Sequence, residues 1–107
     1  MLIPADCLIA GEKLSQYLLV PKPVDDKSKF LAGAGFTPAN PQVLEAAIRM
    51  LAAAEPAIQD GSNDYGTFWR VEGLLTGPTR AISVVAIWLQ WHTDGRFHFI
   101  TLKPWRK

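Results

Sequence analysis

The sequence predicts an α+β domain in which N-terminal helices pack on one face of a C-terminal antiparallel β-meander of three to four strands. Apolar residues recur at helical spacing only in the first half of the chain. The second half instead holds three successive β-type segments joined by two short turns. We therefore expect residues 1–107 to form a single domain, with the helical part at about 11–58 and the antiparallel sheet at about 67–103.

The helices of the first half are predicted from residues that begin or end a helix, as well as from apolar stripes. A short edge strand is predicted within residues 2–9, followed by a helix over 12–19 that two prolines end. An aspartate is expected to cap a second helix, which runs to about Ala34 before a pair of glycines. The sequence Asn40-Pro41 then predicts the start of a third helix.

The sheet is predicted around its central strand, residues 80–92, which is rich in β-branched and aromatic residues. A loop over 59–66 is expected to precede the first strand, at 67–75. The pair Asp94-Gly95 predicts a two-residue type I′ turn into the last strand. This turn would fix the register of the hairpin, with Trp88 opposite Thr101.

The predicted register divides the hairpin into two faces. One is apolar and is predicted to be the core face, with Val85, Ile87, Leu89, Trp91, Ile100 and Leu102. The other mixes polar and apolar groups and is predicted to carry the function, with Arg80, Trp88, Gln90, His92, Phe99, Thr101 and Lys103. Burying two charges is unfavourable, so an odd-numbered loop or a bulge near Gly77 is expected to place Arg70 and Glu72 on this second face.

Composition restricts the classes of function. The formal net charge of +1 gives no overall attraction to nucleic acid. A single cysteine and two histidines are too few to indicate a metal site, so neither a metal nor another cofactor is expected. The start lacks a signal-peptide pattern and no apolar run is long enough to span a membrane, so a cytoplasmic location without membrane contact is expected.

No strong catalytic motif is present, and the candidate residues form a diffuse set. They combine cations, a hydroxyl, an aromatic ring and acid–base groups: Lys29, Arg70, Glu72, Arg80, Trp88, His92, Thr101 and Lys103. Such groups on a sheet face suit a phosphodiester and a stacked base, and they equally suit a solvated face with cross-strand charge pairs. The residues alone favour the solvated face, and Trp88 alone is more typical of a half-buried packing residue.

Several short segments together resemble a widespread, uncharacterised bacterial family whose members occur as stand-alone proteins and at the C-termini of secreted polymorphic toxins. These segments are Lys13-Leu14-Ser15-Gln16-Tyr17-Leu18-Leu19, Ser28-Lys29-Phe30-Leu31, Gly35-Phe36-Thr37, Tyr65-Gly66, Leu75-Thr76-Gly77-Pro78, Arg80, Trp88 and Ile100-Thr101. The family's layout of helices followed by an antiparallel sheet is similar to the barnase–EndoU–colicin–RelE ribonuclease fold.

The resemblance implies a toxin-like, metal-independent ribonuclease that acts on RNA phosphodiesters. It implies a site made of Lys29, Arg80, Trp88 and Thr101. Lys29 and Arg80 would stabilise the charge that develops on the phosphate. Thr101 would hydrogen-bond a phosphate oxygen, and Trp88 would stack a base.

In this ribonuclease interpretation, the remaining candidate residues have the acid–base and substrate-binding roles. Glu72 or His92 would serve as general base or acid. Arg70 and Lys103 would help to bind the substrate. A cognate small antitoxin or immunity protein is the partner that this reading implies, besides RNA.

The sequence departs from the family pattern at four positions. Phe30 replaces a small residue, and Thr79 alone separates Pro78 from the arginine that follows. His98 and Lys103 replace an arginine and a tyrosine of the last strand. The missing arginine bears on phosphate binding. The alternative interpretation is a non-catalytic binding or accessory module that docks a partner on its open sheet face, where Phe68, Phe99 and Trp88 would form an apolar patch.

Overall fold

The structure, a computed structural model, describes residues 1–14, 18–19 and 28–105. Within these residues, three helices precede one antiparallel sheet with the strand order β1-β2-β3-β4. The elements are α1 Gly11–Lys13, α2 Ser28–Ala32, α3 Pro41–Ala54, β1 Ala57–Ser62, β2 Gly66–Thr76, β3 Ala81–Trp91 and β4 Phe97–Pro104. This order confirms the predicted α+β fold with a C-terminal meander.

The longest helix, α3, has the predicted start and apolar stripe. It begins at Pro41 and stops at Ala54, shortly before Pro56. Its apolar stripe packs on β2, where Gly73 leaves room for Leu51. A Cβ added at Gly73 would lie 2.9 Å from Leu51 Cδ1. None of the helices in the described ranges is long and apolar enough to cross a membrane.

The first two predicted helices extend into residues that the structure does not describe. For the helix expected over 12–19, the structure shows α1 and a Leu14 carbonyl that accepts the Leu19 N–H at 3.0 Å, while residues 15–17 lie outside the described ranges. The predicted aspartate cap of the second helix also lies outside them. The end of this second helix agrees with the prediction, because Gly35 follows α2 with a φ of +99° that glycine adopts without strain.

The strand β1, Ala57–Ser62, occupies the first half of the segment 59–66 that was predicted to be a loop. A register shift between Gln59 and Ser62 accommodates Gly61, whose φ is +90°. The turn that follows is closed by Asn63, whose Oδ1 accepts the backbone N–H of Tyr65 at 2.9 Å. The turn residues were therefore recognised correctly, but the pairing of the flanking residues with β2 was missed.

At the opposite edge of the sheet, the predicted strand within residues 2–9 is reduced to a single bridge. Leu8 pairs in parallel with His98 of β4. The Leu8 N–H donates to the Phe97 carbonyl and the Leu8 carbonyl accepts the Phe99 N–H, both at 2.8 Å. Pro4 restricts how far this segment can pair.

The sheet buries the face that was predicted to carry the function. Trp88 and Phe99, which pair across β3 and β4, are 0% and 2% exposed. We call this the core face and the opposite one, which carries Val85 and Ile87, the open face. The prediction was wrong because both faces of β3 are apolar, and the helices cover the one that bears the large ring of Trp88.

The β3–β4 turn contains four residues instead of two. The Trp91 N–H donates to the Arg96 carbonyl at 3.0 Å, and the Trp91 carbonyl accepts the Gly95 N–H at 2.8 Å. Gly95 has a φ of +69°, and Asp94 Oδ1 accepts the Arg96 N–H at 2.8 Å. This longer turn pairs Trp88 with Phe99 and not with Thr101 as predicted.

A bulge in β4 then brings Thr101 to the open face. Trp88 pairs with Phe99, whereas the adjacent Ile87 pairs with Thr101, so Ile100 is an extra residue in β4. Leu102, which follows, is buried in the core.

The β2–β3 connection is regular, which corrects the prediction of an odd loop or a bulge near Gly77. The register is uniform from the pair Gly66 and Trp91 to the pair Thr76 and Ala81. Arg70 and Glu72 nevertheless avoid the core as expected, because they lie opposite Ile87 and Val85 on the open face.

Candidate functional site

Four of the predicted site residues meet on the open face, where the strand register arranges them in two rows. Arg70, Ile87 and Thr101 form one row across β2, β3 and β4. Glu72, Val85 and Lys103 form the next row. The four polar residues, here called the open-face tetrad, therefore surround an apolar floor, with Cα atoms about 7 Å apart along a strand and about 10 Å apart across the sheet.

The tetrad holds a carboxylate beside a cation. Arg70 Nε lies 3.2 Å from Glu72 Oε2, and Arg70 NH1 lies 3.9 Å from Asp60 Oδ1 on β1. These side chains remain 24% to 48% exposed, so the pairs orient the groups more than they stabilise the fold. Lys103 is exposed and makes no ion pair with a carboxylate of the described ranges.

Chemically, the tetrad supplies the groups that a charged, tetrahedral substrate centre requires. Glu72 can accept a proton, and the two cations can stabilise negative charge from β2 and β4. Thr101 adds a hydroxyl, which can donate a hydrogen bond to an oxygen atom of the substrate.

Trp88 is not part of this site, which corrects its predicted role in stacking a base. Its ring is fully buried and meets Phe99 edge to face, with centroids 5.5 Å apart. Its indole N–H finds no hydrogen-bond partner among the described residues. Trp88 is therefore a core residue that contacts no ligand on the open face.

Arg80 lies near the end of the helix that carries Lys29, and both are away from the tetrad. The Arg80 guanidinium lies beside Gly33, where an added Cβ would be 2.9 Å from NH2. The Gly33 N–H donates to the Lys29 carbonyl at 3.1 Å, so Lys29 lies one helical turn earlier. Both are exposed on the helical side of the sheet, because Leu31 of the same helix is buried in the core.

Thr101 is distant from this pair of cations. It lies on the open face opposite Ile87, which is seven residues or about 23 Å along β3 from Arg80. The set implied by the family resemblance is therefore divided between the core, the helical side and the open face.

His92 is also separated from the tetrad. It is exposed in the β3–β4 turn, where its N–H donates to the Tyr65 carbonyl at 2.9 Å. Val85, beside Glu72, is seven residues away along β3, or about 23 Å. Glu72 and His92 consequently do not form an acid–base pair.

Sequence reasoning missed two neighbours of the tetrad on the open face. Asp60 approaches Arg70, but it lies in the segment that was predicted to be a loop. Trp91 was assigned to the core, yet it is 41% exposed and packs against His98. The position of Trp91 directly before the turn was the available signal that its ring reaches solvent.

No curated protein and no solved structure matched the chain. A family described as "Domain of unknown function (DUF6883)" matches over residues 5–106. Because this match spans nearly the entire sequence and the whole helices-then-sheet arrangement, the chain belongs to the DUF6883 family.

Proposed function

We propose that the chain is a toxin-like, metal-independent ribonuclease that acts on RNA phosphodiesters through its open face. The observation that carries this proposal is the open-face tetrad, which places one carboxylate, two cations and a hydroxyl on one face, with Cα atoms about 7 Å apart along a strand and about 10 Å apart across the sheet. Val85 and Ile87 form an apolar floor between them, over which the phosphodiester and its ribose would bind.

The reaction assigned to the tetrad is an internal transesterification. Glu72 accepts the proton of the ribose 2′-hydroxyl, whose oxygen attacks the adjacent phosphorus. The bond to the 5′ oxygen breaks, which leaves a 2′,3′-cyclic phosphate and a free 5′-hydroxyl. Lys103, across the space from Glu72, donates the proton to the departing 5′ oxygen.

The other two members of the tetrad stabilise the transition state. Arg70 is held by Glu72 and Asp60 on the open face. Its charge opposes the negative charge that grows on the phosphate oxygens, and Thr101 donates a hydrogen bond to one of them. A cognate immunity protein would inhibit the enzyme by covering the same face.

The test is incubation of the purified protein with total tRNA and ribosomal RNA at low salt in the presence of EDTA. We expect discrete cleavage by the wild type and a loss of about 100-fold or more in rate for Glu72→Gln. Lys103→Ala should lose activity as well. Glu55→Gln, which makes the same change on an exposed carboxylate at the end of α3, is the matched control and should cleave normally.

A second candidate function, docking of a partner protein without catalysis, is favoured by one observation. Asp60 and Glu72 both flank Arg70, so the positive charge of Arg70 and Lys103 is balanced on this face. Balanced charge is less suited to a polyanion than to a protein. Intact RNA at every protein concentration, with no salt-sensitive binding, would exclude the ribonuclease and support docking.

A further inference from the structure

Beyond the tetrad, the open face ends in a stacked aromatic pair. The rings of Trp91 and His98 have centroids 4.6 Å apart and planes 32° apart. Trp91 is 41% exposed, whereas Leu89, which pairs with His98, is buried beside it. We call Trp91 and His98 the aromatic platform.

A cation without a counter-charge borders this platform. Arg96 lies opposite Trp91 across the turn, is exposed and makes no ion pair with any described carboxylate. The nearby Asp94 is already engaged, since one of its oxygens accepts the Arg96 N–H and the other lies 3.7 Å from His98 Nε2.

The platform also opens onto a groove of about 580 Å³. The groove runs between the N-terminal segment Leu8–Ala10 and β4, and the extra residue Ile100 lines it. An exposed ring, a free cation and an adjoining groove are the elements with which sheet proteins hold single-stranded nucleic acid.

We propose that the aromatic platform binds an unpaired nucleobase of a single-stranded RNA whose scissile phosphate lies at the open-face tetrad. This inference rests on the proposed function and specifies its substrate. A duplex is disfavoured, because its bases stack on one another and do not present a free ring face to Trp91.

The geometry also sets a minimum length for the substrate. Trp91 is four residues beyond Ile87 along β3, or about 13 Å from the floor of the tetrad. This distance extends past the two nucleosides that flank the scissile phosphate. A dinucleotide therefore occupies the tetrad alone, whereas a longer strand reaches both.

The experiment measures RNA binding separately from cleavage, by fluorescence anisotropy in a Glu72→Gln background. The probes are a labelled single-stranded hexanucleotide, the same strand in a duplex, and a dinucleotide. The variants are Trp91→Ala, Trp91→Phe and, as control, Leu74→Ala, which truncates an exposed apolar side chain at the other end of the open face.

We expect Trp91→Ala to weaken binding of the hexanucleotide by about tenfold or more, since base stacking on an aromatic ring is lost. Trp91→Phe should restore most of the affinity, and Leu74→Ala should leave it unchanged. The dinucleotide should bind equally to all variants. Unchanged affinity of Trp91→Ala for the hexanucleotide, or preference for the duplex, would overturn the inference.

Cleavage, measured with the wild type and with Trp91→Ala in the presence of the native Glu72, separates this inference from the proposed function. Cleavage that is indifferent to Trp91→Ala in rate and in KM would overturn the platform only. Trp91-dependent binding without any cleavage would support the platform and contradict the ribonuclease. Absence of both binding and cleavage would overturn both and leave the docking of a protein.

Discussion

Trp88 of β3 and Phe99 of β4 pair directly across the sheet, with ring centroids 5.5 Å apart and planes at 73°. Both rings lie under the helices, in the cluster that Leu31 of α2 and Leu44 of α3 also join. Edge-to-face pairs of this kind add stability beyond the area that they bury. This contact therefore fixes which face of the sheet is core and which is free.

Truncation of Trp88 should damage stability and not a specific step of catalysis. We expect Trp88→Ala to reduce the free energy of unfolding by about 3–5 kcal/mol, a large part of the total for a domain of this size. Trp88→Phe, which keeps a ring, should lose less. Urea denaturation followed by circular dichroism gives both values, and a Trp88→Ala protein as stable as the wild type would contradict the buried position.

Gly77 should tolerate no side chain. A Cβ at this position would lie 2.2 Å from the carbonyl oxygen of Ala34 and 3.0 Å from its Cβ, so the two turns must separate. We expect Gly77→Ala to lower the free energy of unfolding by about 1–3 kcal/mol. Gly11→Ala is the control, because no atom lies within 4 Å of its added Cβ. Equal thermal midpoints for the two variants would show that the close packing of Gly77 against Ala34 does not contribute to stability.

The thiol of Cys7 should make stability depend on alkaline pH. Burial raises the pKa of Cys7 above its ordinary value of 9.0, although the nearby Arg49 guanidinium opposes the shift. Above that ordinary value the unfolded chain releases the proton first, so the free energy of unfolding falls as pH rises towards the raised pKa. Below the ordinary pKa of the thiol, Cys7 is protonated in the folded and the unfolded chain, and its contribution to the free energy of unfolding is fully present.

Cys7→Ala removes this titration and serves as the reference. Comparing the two proteins in urea from about pH 8 to about pH 10, we expect the stability of the wild type to fall more steeply. Parallel pH profiles would show that the thiol titrates alike in the folded and unfolded chains.

The division of the predicted site allows a direct comparison between Lys29, on the helical side of the sheet, and Thr101, on the open face. If the open-face tetrad performs the cleavage, Lys29→Ala should change the rate by less than about twofold, whereas Thr101→Val should lower kcat by about tenfold or more. Steady-state cleavage of one labelled oligonucleotide measures both. The reverse result would return the site to the corner between α2 and the β2–β3 turn.

The sequence was sufficient for the fold because its periodicities are local. The apolar stripe of α3 and the alternating strands after Gly66 each report their own structure, and the order of these elements defines the α+β class. The charges of Arg70 and Glu72 likewise excluded them from the core. Thr101 and Lys103 were also predicted as site residues, but on the same face as Trp88, and the bulge in β4 places them on the opposite one.

The sequence does not show in the same way which face of the sheet is covered by the helices. Val85 and Ile87 on one side of β3 are as apolar as Val84 and Ala86 on the other, so hydrophobicity does not say which side the helices cover. The four-residue turn and the bulge in β4 depend on how β3 and β4 pair, which the sequence pattern does not determine. The resemblance implied a ligand role for Trp88, and the register predicted from a two-residue turn placed it on the same face as Thr101.

The bulge at Ile100 has a consequence for how the chain tolerates changes in length. Removing one residue from a paired strand normally reverses every side chain beyond it. Here Phe99 and Leu102 both face the core and two residues separate them, so deletion of Ile100 would leave Thr101 facing outward and Leu102 facing inward. We expect this single deletion to preserve cooperative unfolding, whereas deletion of Ile87 in the unbulged β3 should abolish it. The last strand therefore contains one position at which a residue can be deleted without reversing the side chains that follow.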